Sequence, residues 1–131
     1  MTPELIALLL AAPLDVRLAL LDADPKGAGW FVGEYGASVY ANPTCYCHLD
    51  SFKWLKEGRA AWLPCNPLAV IEVAARLFAA RHGLPPSIEL LGPDGDGGWT
   101  CRLVIARGVT VEAKGSRAEI GVRVLLGVVN A

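Results

Sequence analysis

The sequence predicts an α+β protein whose second half is a two-layer α-β-β-β-α sandwich, in which two helices cover an antiparallel sheet. Three observations predict it: a helical apolar stripe that starts near residue 66, three short strand-like runs, and a second helical pattern near the end. An N-terminal extension with helices and a hairpin precedes it. We therefore expect residues 1–65 to form the extension and residues 66–131 to form the α-β-β-β-α domain.

The composition narrows the function classes before any motif is considered. The chain has 131 residues, of which 53% are hydrophobic and 19% charged, and its formal net charge is -1. This balance does not favour nucleic-acid binding, because non-specific binding to phosphates needs an excess of Lys and Arg. No apolar run reaches the roughly 18 residues that a bilayer requires, so we expect no membrane association.

The N-terminal run predicts a short buried helix rather than a secretion signal. Thr2 suits an N-cap and Pro3 the first helical position, and eight apolar residues follow from Leu5. Glu4 precedes this run and Pro13 closes it, whereas a signal peptide needs basic residues before it. A second helix is expected after Pro13. These features predict a cytoplasmic location.

The middle of the extension is typical of a hairpin and a short helix. Residues 30–32 and 37–40 carry β-branched and aromatic side chains, and they flank a Gly-Glu-Tyr-Gly turn, which indicates two short strands. A one- or two-turn helix is expected within residues 49–57, with Gly58 as its end.

The second half has clear helix and strand boundaries. Asn66 and Pro67 predict a helix start, and Gly83 predicts its end. Strands are expected at residues 87–91, 99–106 and 109–113. In the third strand apolar and polar residues alternate, so we expect one face of this sheet to be wet. Ser116 and Glu119 have capping-box spacing, which predicts a final helix that begins there.

Four residues could supply a metal or thiol site. Thiolates and imidazoles are the preferred ligands of zinc, and the candidates are Cys45, Cys47, His48 and Cys65. Cys47 and His48 are adjacent and Cys65 is isolated, so we favour small buried apolar roles for Cys45 and Cys47 over a zinc site. A redox role, or a nucleophilic Cys/His pair that includes His48 or His82, is another alternative. We expect no cofactor, with zinc as the alternative.

Aromatic residues are concentrated between residues 30 and 62. Trp and Tyr often anchor protein interfaces, although they are also ordinary core residues. The interface candidates are Trp30, Tyr35, Tyr40, Trp54 and Trp62. Because this segment has few polar positions to face water, we expect it to contact a protein partner or a second copy of the chain.

The order helix, three strands, helix resembles the double-stranded-RNA-binding domain. The stretch from Pro85 to Leu90 is similar to that family's first strand, and Gly115 to Glu119 lies where the family has a basic helix start. The resemblance implies that Arg117 would contact phosphates. Ala118 and Glu119 depart from the basic pattern, so RNA binding is the alternative function.

The chain also resembles the phage ABA sandwich domain family. The residues that carry this resemblance are Leu63-Pro64, the following helix, the strand that begins at Trp99, the strand end Val111-Glu112-Ala113, and the last helix. The resemblance implies a phage or prophage origin and a fold, but no catalytic residues. The expected function is therefore non-enzymatic, that of a small binding or adaptor protein.

The absence of Gln is typical of a thermophile or of a GC-rich genome.

Overall fold

The protein is described by a computed structural model that covers residues 1–34, 36–43, 49–106 and 108–131. Within these ranges the chain forms five helices and six strands. In chain order they are α1 (Pro3–Leu10), α2 (Leu14–Ala23), β1 (Gly29–Gly33), β2 (Gly36–Tyr40), α3 (Leu49–Lys56), β3 (Ala60–Pro64), α4 (Pro67–His82), β4 (Ser87–Leu91), β5 (Trp99–Ile105), β6 (Val109–Gly115) and α5 (Ile120–Val129). The α+β class is confirmed.

The first helix begins where its capping residues predict. The Thr2 hydroxyl accepts a hydrogen bond from the Leu5 backbone N–H at 3.3 Å, and Pro3 occupies the first helical turn. Leu5 and Leu9 are buried one helical turn apart. Pro13 separates α1 from α2, because a proline can start a helix but cannot continue one. The two predicted N-terminal helices are confirmed.

The hairpin belongs to a sheet of three strands rather than two. This first sheet has the order β2-β1-β3, and both pairings are antiparallel. Strand β3 was not predicted from the sequence. All five of its residues are buried, so the strand lacks the alternation of polar and apolar residues that reveals a half-buried strand.

The second sheet has the order β4-β5-β6 and is also antiparallel. Cys101, Leu103 and Ile105 of β5 point inward and are buried, while Arg102 between them is exposed. Because successive residues of a strand point to opposite faces, this alternation gives one packed and one wet face. The three strands predicted for this half are confirmed.

Helices α4 and α5 meet through a close approach of their backbones. A Cβ on Gly121 would lie 2.8 Å from the Val70 Cβ and 3.2 Å from the Pro67 carbonyl, so only glycine fits there. Helix α5 lies on β5 and β6, and α4 packs mainly on α5. The predicted ends of α4 are confirmed: the Asn66 side chain accepts from the Leu68 N–H at 3.1 Å, and Gly83 has a φ of 74°.

The predicted capping box at the start of α5 is wrong. The helix begins at Ile120, and the Ile120 N–H donates to the Ser116 carbonyl at 2.8 Å. Residues 117–119 therefore form a turn ahead of the helix. The Glu119 carboxylate is free of a capping role and lies 3.4 Å from Nη2 of Arg123, one turn along α5.

One buried cluster takes side chains from both halves of the chain. Leu9 and Leu20 of the N-terminal helices and Val32 of β1 share it with Phe78 of α4 and Leu125 of α5. The division of the chain at residue 65 stays a prediction. In the described ranges, no helix has both the length and the apolar character needed to cross a membrane.

A buried arginine holds the ends of two helices. Arg17 is only 6% exposed. Its Nε donates to the Ala12 carbonyl at 3.0 Å, and its Nη1 donates to the Leu55 carbonyl. Ala12 follows the end of α1, and Leu55 lies in the last turn of α3, where carbonyls lack partners within the helix. The guanidinium also suits the negative end of each helix dipole.

Candidate binding site on the first sheet

A pocket of about 320 Å³ lies between α3 and the β1–β2 hairpin. We call it the hairpin pocket; it is lined by Phe31, Gly33, Glu34, Gly36, Ala37, Ser38, Trp54, Arg59 and Ala60. Its floor follows from the register of the sheet. Gly33 is paired with Gly36 on one side and with Ala60 on the other, so no side chain of this row exceeds a methyl group. Because residues paired across neighbouring strands point to the same face of the sheet, these three small residues leave a gap between the larger side chains on that face.

One wall of the hairpin pocket is a stacked cation. The guanidinium carbon of Arg59 lies 5.4 Å from the ring centroid of Trp54, which is 39% exposed. Arg59 Nε is 3.3 Å from the Glu34 carboxylate, and its Nη1 is 3.8 Å from that of Glu57. These ion pairs are half exposed and therefore weak, so the rim is charged but easily rearranged.

Phe31 lines another part of the hairpin pocket, and Tyr40 packs on it from beside the pocket. The rings of Phe31 and Tyr40 are 6.3 Å apart with an interplanar angle of 80°, an edge-to-face arrangement. Tyr40 is 43% exposed although it lies at the end of a strand. Phe31 and Trp54 therefore both present aromatic surface to the pocket.

Strand β2 forms an open border of this pocket. All five of its residues are exposed, and Val39 reaches 56%. In the described part of the chain, β2 is paired with β1 only and ends the sheet. The run Gly36–Tyr40 contains no proline and no charged residue, which are the usual protections of an edge strand. Its outer N–H and C=O groups can therefore accept another strand.

The predicted interface aromatics occupy three kinds of position. Trp54 is exposed and lines the hairpin pocket, and Tyr40 is exposed and packs on Phe31, which lines it. Trp30 is half-buried against the main core. Trp62 is fully buried and packs with Leu55, so it belongs to the interior. Tyr35 lies outside the described residues.

The predicted zinc ligands are mostly beyond what the structure describes. Cys45, Cys47 and His48 lie outside the described residues. Cys65 is a free, half-buried cysteine, and burial raises the pKa of its thiol. Among the side chains that the structure describes, which leave out those of residues 44–50, no three His, Cys, Asp or Glu residues are grouped to hold a metal. The zinc site stays a prediction.

Arg117 and His82, the candidate phosphate contact and the candidate catalytic imidazole, both lie in the second half of the chain. Arg117 is exposed in the turn before α5. His82 ends α4 with its ring 4.7 Å from that of Phe78 in an edge-to-face contact, which is a packing role. RNA binding through Arg117 stays a prediction.

Three features of the site were not predicted from the sequence: Arg59, Glu34 and the glycine floor. Arg59 and Glu34 are 25 residues apart, and only the β1–β3 pairing brings them together. The run Gly36–Tyr40 is uncharged, but longer uncharged runs such as Leu5–Leu14 occur elsewhere, so the sequence alone held no distinctive signal for this site.

Comparison of the chain with protein-family models, with curated proteins and with solved structures found no match. The resemblances to the phage ABA sandwich family and to the double-stranded-RNA-binding domain therefore stay predictions.

Proposed function

We propose that this chain is a small non-enzymatic binding protein that acts through protein–protein contact, by pairing β2 with an added strand. One observation carries the proposal: β2 is an exposed, uncharged edge strand, and three of its five residues, Gly36, Ala37 and Ser38, also line the hairpin pocket. A strand added to a sheet edge gains affinity from main-chain hydrogen bonds, and a neighbouring pocket gives specificity by taking one side chain.

The pocket favours one class of side chain. Phe31 and Trp54 offer aromatic surface, and the glycine row leaves depth beneath it. A volume of about 320 Å³ is at the lower end for a ligand site, which suits one large apolar or aromatic side chain. Arg59 can stack on an aromatic ring or bind a carboxylate at the rim.

The test is to select peptides from a displayed random library with the purified protein. We expect enriched peptides that bind the wild type, lose binding to Val39→Lys and Trp54→Ala, and keep binding to Leu91→Lys. Leu91 is the matched control because it is an exposed leucine, 66% accessible, on an edge strand of the other sheet. Lysine at position 39 places a charge on the β2 edge.

Equal binding of the selected peptides to wild type and Val39→Lys would place the contact elsewhere and contradict the proposal. Four further parts of this proposal rest on the sequence alone: a cytoplasmic location, a phage or prophage origin, a thermophilic source and homo-oligomer formation. Duplex RNA is the alternative partner, and a gel shift that is weakened by Arg117→Glu would support it.

A further inference from the structure

We propose that the strand added to β2 is β2 of a second copy, in a symmetric antiparallel pair that joins the two first sheets into one six-stranded sheet. The inference rests on the proposed function, since it names the partner for the same edge. The supporting observation is that β2 is self-complementary: in an antiparallel pair of two copies, large side chains of one strand lie opposite small ones of the other.

The register of the pair follows from symmetry. A two-fold axis perpendicular to the sheet keeps each face on its own side, so opposite residues must belong to the same face. A register centred on Ser38 meets this condition and overlaps all five residues of β2. It sets Ser38 opposite Ser38, Val39 opposite Ala37, and Tyr40 opposite Gly36 of the second copy.

This register places the largest side chain beside the smallest. Tyr40 lies on the face of Ser38 and Gly36, which is the face of the hairpin pocket. A Cβ on Gly36 would meet no atom within 4 Å, so the space above this glycine is open. The exposed ring of Tyr40 from the second copy would cover that space, as aromatic residues cover glycines across neighbouring strands.

The opposite face is matched as well. Val39, 56% exposed, would lie against Ala37 of the second copy, so an exposed apolar side chain is covered by a small one. Beyond the strand ends, the register sets Glu34 opposite Asn42 and brings no like charges together. Because β2 carries no charge, the pairing meets no repulsion and little dependence on salt.

Sedimentation velocity over a range of protein concentrations tests the self-association. We expect a dimer for the wild type and for Leu91→Lys. Val39→Lys and Tyr40→Ala should raise the dissociation constant at least about tenfold, as the loss of an aromatic anchor commonly does. Equal circular dichroism spectra, and equal melting at a concentration low enough for the wild type to be monomeric, exclude misfolding. A dimer that is unchanged by Val39→Lys would overturn the inference.

Cross-linking tests the register. In a background where Cys45, Cys47 and Cys65 are serine, Ser38→Cys should form a disulfide-linked dimer. Opposite residues of antiparallel strands have Cα atoms about 4.5 to 5.5 Å apart, which a disulfide can span. Thr110→Cys, an exposed strand position of β6, is the control and should stay monomeric on a non-reducing gel. No dimer from Ser38→Cys would reject the register.

Two results separate this inference from the proposed function. A wild-type chain that is monomeric at every concentration, yet binds library peptides in a way that Val39→Lys abolishes, would overturn self-pairing and keep the function. A monomer that selects no peptide would overturn both.

Discussion

Both sheets of this protein have three antiparallel strands, but they expose different groups to solvent. One face of the first sheet packs on the main core, on the other face Trp62 of β3 packs with Leu55 of α3, and β2 is left open at the edge. The second sheet leaves a whole face open to water. The chain thus exposes a polar face in one sheet and an uncharged edge in the other.

The second sheet protects its edges with charge. Arg102 in the central strand lies 3.0 Å from the Glu112 carboxylate on β6 and 3.5 Å from that of Glu89 on β4. Both edge strands therefore carry a carboxylate, which discourages pairing with another chain. The comparison indicates that the unprotected edge of β2 is a feature of that strand rather than of the whole molecule.

The largest expected loss of stability comes from a buried side chain of the first sheet, and it should clearly exceed the loss from a residue that lines the hairpin pocket. Trp62→Ala should lower the free energy of unfolding by about 3 to 5 kcal/mol, because a fully buried indole leaves a cavity. Trp54→Ala should cost less than about 1 kcal/mol, since its ring is 39% exposed. Urea unfolding of both variants measures this, and similar losses would contradict the placement of the two tryptophans.

The next largest loss of stability is expected from Arg17, which binds carbonyls at the ends of α1 and α3. Arg17→Met should lower the free energy of unfolding by roughly 1 to 3 kcal/mol, because the buried Ala12 carbonyl loses its donor, while the Leu55 carbonyl keeps only the Gly58 N–H. Arg76→Met, on the exposed side of α4, is the control and should stay within about 0.5 kcal/mol. Chemical unfolding checks both, and an unchanged Arg17→Met protein would refute the capping role.

Much of the fold could be predicted because its signals are local. The cap at Thr2, the cap at Asn66 and the left-handed Gly83 each act within one helical turn, so they are visible in the sequence. Strand β3 escaped prediction because both of its faces are covered. The hairpin pocket escaped because its glycine floor and the Arg59–Glu34 contact exist only after the strands are paired.

The second sheet should also respond to high pH through Cys101. This thiol is fully buried, and burial raises its pKa above the ordinary value of 9.0. The stabilisation is therefore complete below pH 9.0 and is lost as the pH rises through the folded-state pKa, by about 1.4 kcal/mol per pH unit at most. Cys101→Ala should remove this component of the slope in unfolding measured between neutral and alkaline pH. Identical slopes would contradict it.

The weakest effect belongs to the wet face of the second sheet. Arg102→Met should cost at most about 1 kcal/mol, because both of its ion pairs are exposed, and the difference should shrink in high salt. Lys114→Met, on the same face of β6, controls for the loss of one positive charge. A large loss of unfolding free energy that salt does not change would contradict this, because it would mean that the ion pairs of Arg102 are essential to the sheet.

Amide hydrogen exchange at low and high protein concentration follows both sheets in one experiment and shows whether β2 is the edge that pairs. We predict that peptides covering Gly36–Tyr40 gain protection as the concentration rises, whereas peptides covering the edge strands β4 and β6 do not. Exchange of β2 that is the same at every concentration, or protection that appears on β4 or β6 instead, would contradict the pairing of β2.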